Sequence, residues 1–453
     1  MRERLSRLRP ALILFITLLI GILYWQGAAL QLTLVNTDMK ATDQSAYMDY
    51  ARQMVETNYT FAGGRNRMPA YPFLQSLFYD PEMSDEEFFL QGKTINVVLS
   101  MILLVGTAVI LSRFLGRLLV LNLMLILTFT VFVFKAGFFQ AELLFYFLTF
   151  CLFLLMWRMI RKPSWYGAVL TGLVAGTAHL TKASVIPGLV IFLISFGLEW
   201  LVRIIKRDPL DKRAVFVEKS FYYRPIYAVV AVLCFLAVIY PYIRTSKEIF
   251  GHYFYNVNST FYIWYDSWDE AKEGTRSHGD RVGWPDMPAE EIPSLAKYLR
   301  EHSSRQIVER FLQGAILITD KAIQSYGYFK YFVIYALLLV LAMIRYNSQA
   351  IHLLRSHITL GFFLIAYFSA YFLLYAWYSA ISFGGNRLIL AQFLPLMFTI
   401  LVGIQELLAG KETTMGTLRI NSLTLINLAV LLLLVVNIWV ILTQTVGTMY
   451  GGS

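Results

Sequence analysis

The sequence predicts an all-α polytopic membrane protein with about eleven transmembrane helices. Hydrophobic residues make up 57% of the 453-residue chain and charged residues only 15%, a balance that would give a soluble domain a largely apolar surface. The apolar residues come in runs of roughly 18 to 25, the length that crosses a hydrocarbon core about 30 Å thick as a helix. Lys and Arg lie in short clusters between these runs, which indicates membrane topology rather than a surface for nucleic acid.

The expected spans follow one another along the whole chain. They are centred near 11–34, 94–112, 115–134, 139–157, 165–182, 184–204, 225–243, 328–344, 358–381, 387–408 and 420–445. Four arginines precede the first run, as in a signal peptide, but that run continues to about Leu34 without a small-residue cleavage site. We therefore expect a first span that is retained.

The basic residues predict the orientation of these spans. Dense Lys and Arg clusters fall in the connections 113–117, 158–162, 203–224, 345–357 and 405–419. Because cytoplasmic loops carry an excess of Lys and Arg, we expect these connections and the N-terminus in the cytoplasm. Residues 1–453 then form a single transmembrane domain with two long outer segments. This arrangement suits an integral protein of a prokaryotic inner or plasma membrane, in contact with membrane lipids and with its active site facing the periplasm or exterior.

The two outer segments are 35–93 and 245–327. In the first, Tyr47, Tyr50, Ala51 and Met54 recur at helical spacing, which predicts an amphipathic helix on the outer membrane surface. The second contains an aromatic stretch, 261–268, followed by an expected pair of helices over 288–325. An interfacial aromatic belt and a sugar-stacking surface both explain the aromatic stretch. If the stretch is a sugar-stacking surface, Trp264 is the expected contact with an acceptor.

Ionisable side chains collect at the expected outer ends of the spans. They include Asp38, Asp43, Arg65, Arg67, Lys135, Glu142, Lys182 and Arg387. A transporter usually has its charged site near the midplane of the membrane, whereas this set predicts a cleft that is open to the outer face and contains both acid and base. Taken singly, Lys182 and Arg387 could instead reach toward lipid head groups, and Asp43 could merely cap the following helix.

Cysteine and histidine usage gives little indication of metal or redox chemistry. Cys151 and Cys234 lie inside apolar runs, so we expect both to pack there without forming a disulfide. The six histidines show no metal-ligand spacing. These residues therefore give no pattern that is typical of a metal or redox site.

Residues 42–54, TDQSAYMDYARQM, resemble the first outer loop of the GT-C glycosyltransferases. The branch containing the protein O-mannosyltransferases and the aminoarabinose transferase of lipid A is the most similar. There an acidic residue is followed by Glu, Tyr and an Ala-Arg-Met-like helix. Asp43 and Tyr47 match this pattern, while Gln44 replaces the second acid. The segment RMPAYP, from Arg67 to Pro72 and including Tyr71, is similar to the basic-Pro-small-Tyr segment of the same loop.

Three later places agree with the family in order. The segment QAELL around Glu142 resembles the acidic start of the fourth span, and residues 172–182, which end in Leu-Thr-Lys182, resemble the fifth. Arg387 to Pro395 resembles the late Arg-Tyr…Pro segment, with Leu388 where Tyr is common. The resemblance covers most of the chain through short motifs.

The resemblance implies an inverting hexosyl- or pentosyltransferase that uses a polyprenyl-phosphate sugar as donor. The acceptor would be a lipid, a glycan or a protein, on the periplasmic or extracellular side. Asp43 would be the general base, and Lys182, Arg67 and Arg387 would bind the donor phosphate. The remaining expected substrate contacts are Glu142, Tyr47, Arg65, Tyr71 and Trp264. Because the cations already supply positive charge, the resemblance implies no essential metal and no other cofactor.

Two other functional classes remain open at this stage. A transporter or flippase of lipid-linked substrates would show inverted repeats and interrupted helices. A polysaccharide polymerase or O-antigen-type ligase would use a late outer loop with paired arginines and a histidine, and Arg276, His278 and Arg281 lie in such a loop. A structural scaffold explains least, because it does not need acid and base on one face.

Overall fold

The fold is a bundle of membrane-spanning helices. A computed structural model describes residues 2–205, 223–325, 327–381, 387–415 and 418–448. Over these residues, ten helical segments are long and apolar enough to cross a membrane. They are Phe15–Val35, Asp85–Leu111, Arg117–Lys135, Glu142–Arg161, Ala183–Val202, Arg224–Phe250, Tyr328–Arg345, Ile358–Tyr378, Ile389–Leu408 and Ser422–Thr445. The predicted all-α polytopic membrane fold is therefore confirmed.

The helices are joined by short turns and two longer segments. The first part of the chain forms helices Arg2–Leu30, Gln44–Glu56, Ala70–Ser76, Asp85–Leu111, Arg117–Leu127, Glu142–Arg161, Trp165–Thr181 and Ile186–Ile205. The second forms helices Arg224–Phe250, Val257–Thr260, Trp268–Ala271, Leu295–Glu301, Ser304–Gln324, Tyr328–Arg345, Asn347–Ser356, Ile358–Tyr378, Arg387–Leu408 and Ser422–Val440. A small antiparallel hairpin pairs strand Glu412–Met415 with strand Leu418–Asn421.

The expected span 165–182 corresponds to helix Trp165–Thr181, whose 17 residues make it shorter than the other ten. It packs closely along helix Arg224–Phe250 through Gly172 and Gly176. A Cβ atom on Gly176 would lie 2.6 Å from Cβ of Val238, which is closer than real carbon atoms approach. The two glycines, four residues apart, thus permit the close contact that small residues give helix pairs in membranes.

The two longer segments, 36–84 and 251–327, meet at one end of the bundle, which we call the loop face. The backbone N–H of Val257 donates to the carbonyl of Arg65 at 3.0 Å. The Arg65 guanidinium pairs with the fully buried Asp280 at 2.5 Å. These contacts join the two segments directly. The basic connection expected over 203–224 lies mostly outside the described residues.

The amphipathic helix of the first segment, Gln44–Glu56, packs against protein. Its buried face includes Tyr47, whose ring meets Tyr71 edge-on with centroids 5.4 Å apart. Tyr71 in turn contacts Phe139 at 5.8 Å. We expected this helix on the membrane surface, but its apolar face is covered by this aromatic cluster. The helix is therefore a fixed wall of the loop face.

A pair of buried amides fixes the start of this helix. Asn36 and Gln44 exchange two hydrogen bonds of 2.7 and 2.8 Å between their side chains. The Gln44 carbonyl oxygen also accepts from the N–H of Phe139 at 2.8 Å, and Asn36 donates to the carbonyl of Gly137. A carboxylate at position 44 could not donate to Asn36. Gln44, which stands where the resembled family has a second acid, thus has a structural role here.

Candidate functional site

Five charged side chains form one continuous network at the loop face. Asp43 accepts a hydrogen bond from Arg67 through Oδ1 and one of 2.9 Å from Arg387 Nη1 through Oδ2. Glu142 Oε1 lies 2.8 Å from Lys182 Nζ and 4.0 Å from Arg387 Nη1. The structure therefore brings Asp43 and Glu142 together with the three cations that are expected to bind the donor phosphate, Lys182, Arg67 and Arg387.

Asp43 directly precedes the helix that begins at Gln44, but it does not cap that helix. Its side chain makes no hydrogen bond to the helix amides and turns to the two arginines instead. The preceding Thr42 has a positive φ of 61°, an uncommon conformation for a β-branched residue. Its hydroxyl accepts from Gln140 Nε2 at 2.6 Å. This turn aims the Asp43 carboxylate away from the helix and into the cluster.

Arg67 comes from the first long segment, and the ends of three membrane helices supply the other three members of the network. Glu142 begins helix Glu142–Arg161, and Arg387 begins helix Arg387–Leu408. Lys182 follows helix Trp165–Thr181 in an extended conformation. Because these helices end at the same level, side chains far apart in sequence reach one point. Tyr146 adds a tie between two of the helices by donating to the carbonyl of Arg387 at 2.9 Å.

The arginines determine the ionisation of Asp43. Burial by itself raises the pKa of this carboxyl group, but the charges of Arg67 and Arg387 outweigh burial and hold the pKa below its usual value. Asp43 is therefore ionised at neutral pH. It can accept a proton only weakly while both arginines remain paired with it.

Two cavities meet at Asp43. The helix cavity, about 420 Å³, lies among the helix ends and is lined by apolar and aromatic groups such as Ile186, Leu374 and Tyr375. The loop cavity, about 530 Å³, lies among the long segments. Both cavities are lined by Asp43, Asn66, Arg67, Asn258, Tyr378 and Arg387. The carboxylate and its two arginines thus form the partition between a more apolar cavity and a more polar one.

The remaining predicted contacts near this partition differ in their access to the cavities. Tyr47 and Lys182 line the helix cavity, and Arg65 lines the loop cavity. Glu142 and Tyr71 are buried and line neither of them. Glu142 lies behind its cations, and Tyr71 lies behind Tyr47 and accepts from Gln75 Nε2 at 2.9 Å. Both therefore support residues that face the cavities.

Trp264 does not join the cluster. It lines a separate cavity of about 400 Å³, where its ring lies near Trp377 with centroids 6.3 Å apart. Its neighbours in the aromatic stretch do reach the site: Ile263 lines the helix cavity, and Tyr262 and Trp268 line the loop cavity. The tight 3₁₀ turn Tyr262–Trp264 turns successive side chains in different directions. The sequence thus identified the segment but not the orientation of its side chains.

Several cavity residues were not predicted as site residues. Asn66 lies between the two expected arginines, and His179 lies one turn before Lys182. Both line the helix cavity, and their proximity in sequence to predicted residues is the signal that could have identified them. Arg276 lines the loop cavity, whereas His278 lines the cavity of Trp264. The loop that suggested a ligase therefore does not bring these two side chains to one point.

Within the described residues, no group of three or more His, Cys, Asp or Glu side chains is arranged to hold a metal ion. Comparisons with protein-family models, curated proteins and solved structures found no significant match for this chain.

Proposed function

We propose that this chain is a membrane glycosyltransferase of GT-C type. It moves a sugar from a polyprenyl-phosphate carrier to an acceptor at the periplasmic or outer face of a prokaryotic inner membrane. The observation that carries the proposal is the position of Asp43, an ionised carboxylate between a more apolar and a more polar cavity, with two arginines in direct contact. A lipid-linked sugar and a polar acceptor need such a junction.

The helix cavity suits the donor. Its apolar lining at the ends of membrane helices can hold the first isoprenoid units, while Lys182, Arg67 and Arg387 supply positive charge at its polar end. Arginine matches the oxygen geometry of phosphate with paired N–H groups. As the bond between the sugar C1 and the phosphate oxygen breaks, the electron pair moves onto the phosphate. Fixed cations at this point stabilise that developing charge.

The acceptor approaches Asp43 from the loop cavity. Its hydroxyl oxygen forms a bond to C1 as the phosphate leaves on the opposite side, and its proton passes to the Asp43 carboxylate. Displacement from opposite sides inverts the configuration at C1. The donor phosphate competes with Asp43 for the arginines. Donor binding therefore raises the pKa of Asp43 from its lowered value and makes the carboxylate a better base.

Glu142 has a positioning role in this mechanism. It is buried and pairs with Lys182 at 2.8 Å while lying 4.0 Å from Arg387. It fixes two phosphate ligands and offsets part of their mutual repulsion. Tyr47 stands beside them, with the Arg67 guanidinium 5.8 Å from its ring centroid.

Donor binding tests the proposal most directly. The purified chain in detergent is offered a panel of polyprenyl-phosphate sugars, and native mass spectrometry records the retained mass and any slow cleavage. We expect one donor to be retained and slowly hydrolysed, and its binding to be lost in Arg387→Gln. Arg281→Gln is the matched control, because Arg281 is exposed and lines none of the cavities described above.

Two results would contradict the proposal. Retention of no polyprenyl-phosphate sugar would remove the donor assignment. A lipid-linked sugar that is bound and released repeatedly without cleavage, even when acceptors are supplied, would favour the transporter or flippase.

A further inference from the structure

The loop cavity is strongly basic. Of the described residues that line it, five are cationic and Asp43 is the one carboxylate. The cationic residues are Arg65, Arg67, Lys135, Arg276 and Arg387. Arg67 and Arg387 also serve the donor phosphate, but a cavity that receives only the neutral hydroxyl of an acceptor does not need the other three cations. Concentrated like charge in a confined space costs free energy unless an anion offsets it.

We infer that the loop cavity contains a second anion site, which binds a phosphate group carried by the acceptor. This inference rests on the proposed function, because it names the class of acceptor for that site. It assigns to the polar side of Asp43 an anionic ligand distinct from the donor phosphate on the apolar side.

The carboxylates near the cavity do not neutralise it. Asp43 is shared between Arg67 and Arg387, so one negative charge faces two positive ones. Asp280 pairs with Arg65 but is fully buried, does not line the cavity and also accepts from the Thr275 hydroxyl at 3.0 Å. Asp280 offsets Arg65, and Glu142, behind the cavity wall, pairs with Lys182 at 2.8 Å and lies 4.0 Å from Arg387. These three carboxylates face six cations, which are the five that line the cavity and Lys182. A net positive charge therefore remains at the cavity wall.

Arg276 is the residue best placed to meet a ligand on the loop side. Its guanidinium lies 5.2 Å from the ring centroid of Trp268, and both side chains line the loop cavity. Contact with a ring occupies the face of a guanidinium and leaves its N–H edges available for oxygen ligands. Arg276 lines the loop cavity but not the helix cavity, so it distinguishes the two anion positions.

Neutral polar groups complete the site. Thr42, Asn66, Gln140 and Asn258 also line the loop cavity and offer hydroxyl and amide groups among the cations. A phosphate monoester carries close to two negative charges at neutral pH and three acceptor oxygens. It can therefore accept hydrogen bonds from several of these groups, and it offsets more of the positive charge than a carboxylate does. The same chemistry would also fit the second phosphate of a diphosphate-linked donor, so the test must separate these two sources.

Binding of small probes to the purified full-length chain makes that separation. Labelled glucose 6-phosphate is the phosphate probe, and labelled glucose is its neutral match; both are measured by equilibrium dialysis in detergent. Undecaprenyl phosphate and undecaprenyl diphosphate are measured on the same samples by native mass spectrometry. The variants are Arg276→Gln and the control Arg281→Gln.

We expect glucose 6-phosphate to bind more tightly than glucose and to bind together with undecaprenyl phosphate. Arg276→Gln should lower the affinity for glucose 6-phosphate about tenfold, which is the effect of losing one charge-assisted hydrogen bond. Its affinity for undecaprenyl phosphate should not change, and Arg281→Gln should leave both affinities unchanged.

Three results would overturn the inference. If glucose 6-phosphate binds no better than glucose while undecaprenyl phosphate binds, the second anion site is absent and the proposed donor site survives. If undecaprenyl diphosphate excludes glucose 6-phosphate and loses affinity in Arg276→Gln, the cavity serves the donor's second phosphate. If glucose 6-phosphate and undecaprenyl phosphate exclude each other, there is a single anion site. Failure of both lipids to bind would instead contradict the proposed function.

Discussion

Two carboxylates at the loop face, Asp43 and Asp266, each bridge two basic side chains. Asp43 joins Arg67 and Arg387, and Asp266 joins Arg310 at 2.8 Å and His302 at 2.7 Å. The two clusters are alike in the kinds of side chain that they contain. They differ in what the basic groups do beyond the carboxylate.

The arginine of the Asp266 cluster is fully used inside the protein. Arg310 lies 4.1 Å from the ring centroid of Trp377 and donates to the carbonyls of Trp377 and Ile263 at 3.3 Å. Its side chain is only 6% exposed. This cluster ties helix Ser304–Gln324 to the aromatic stretch. It is a structural clamp.

The arginines of the Asp43 cluster remain accessible. The side chains of Arg67 and Arg387 are 19% and 27% exposed, and both line the helix cavity and the loop cavity. An ion pair alone therefore does not identify a site. In a binding site a ligand can reach the cations, whereas in a structural clamp their contacts are all made within the protein.

The largest effect that separates the two clusters is expected for their carboxylates. Asp43→Asn preserves side-chain volume but removes the proton acceptor, so transferase activity should fall about 10³-fold, within the range for loss of a general base. Asp266→Asn should leave activity within a few-fold and lower the free energy of unfolding by about 1–3 kcal/mol, because the buried Arg310 loses its charged partner. Initial rates and thermal unfolding of both purified variants measure this.

Either of the two variants can contradict this distinction between the clusters. If Asp43→Asn retains full activity, Asp43 is not the base. If Asp266→Asn loses activity as severely as Asp43→Asn without losing stability, the Asp266 cluster is itself part of a functional site.

The arginines give the next largest difference. Arg387→Lys keeps the charge but loses the planar fork that matches phosphate, so donor affinity should fall about tenfold to a hundredfold while stability changes little. Arg310→Lys should leave donor affinity unchanged and reduce stability, because it loses the contact with Trp377. Donor titrations and melting curves on the two variants test this. Equal donor affinity in wild type and Arg387→Lys would remove Arg387 from the phosphate site.

A smaller, coupled effect is expected for the ion pair between the buried Glu142 and Lys182, which lines the helix cavity. Lys182→Met leaves the Glu142 carboxylate buried without its 2.8 Å partner and should destabilise the protein. The double variant Glu142→Gln/Lys182→Met removes both charges and should recover most of the stability, but not donor binding. A double-mutant cycle in melting temperature, with donor affinity measured in parallel, checks this. Recovery of donor binding in the double variant would show that Lys182 does not bind the phosphate.

The sequence predicts the membrane fold and much of the site for simple physical reasons. Long apolar runs must become helices in lipid, and the ends of such helices hold the charged residues, so Asp43, Lys182 and Arg387 could be expected at a shared level. Contacts between distant loops could not be predicted. Arg65 and Asp280 are 215 residues apart, and no local pattern links them.

Side-chain direction in irregular segments was equally hidden. Trp264 was the expected contact of the aromatic stretch, yet its neighbour Tyr262 lines the loop cavity instead. A helix has a fixed period that assigns residues to faces, but a three-residue turn does not. The same limit applies to Asp43, which local sequence also allows as a helix cap. Contacts with Arg67 and the distant Arg387 make it part of the cluster instead.

The smallest expected effect is in the pH dependence of the reaction, and it tests how Asp43 changes during turnover. A base must be deprotonated, so activity falls as the pH falls through the pKa of Asp43. The free enzyme determines kcat/KM, and there the two arginines hold this pKa low. The donor complex determines kcat, and there the phosphate competes for the arginines. We therefore expect the acid limb of kcat at higher pH than that of kcat/KM. Arg67→Gln removes one cation from the free enzyme and should move the kcat/KM limb upward, toward the kcat limb.

Initial rates across roughly pH 3 to 8, with donor below and above KM, measure both limbs. Coincident limbs in the wild type would mean that the arginines stay on Asp43 throughout, and the phosphate would then have to be held by Lys182.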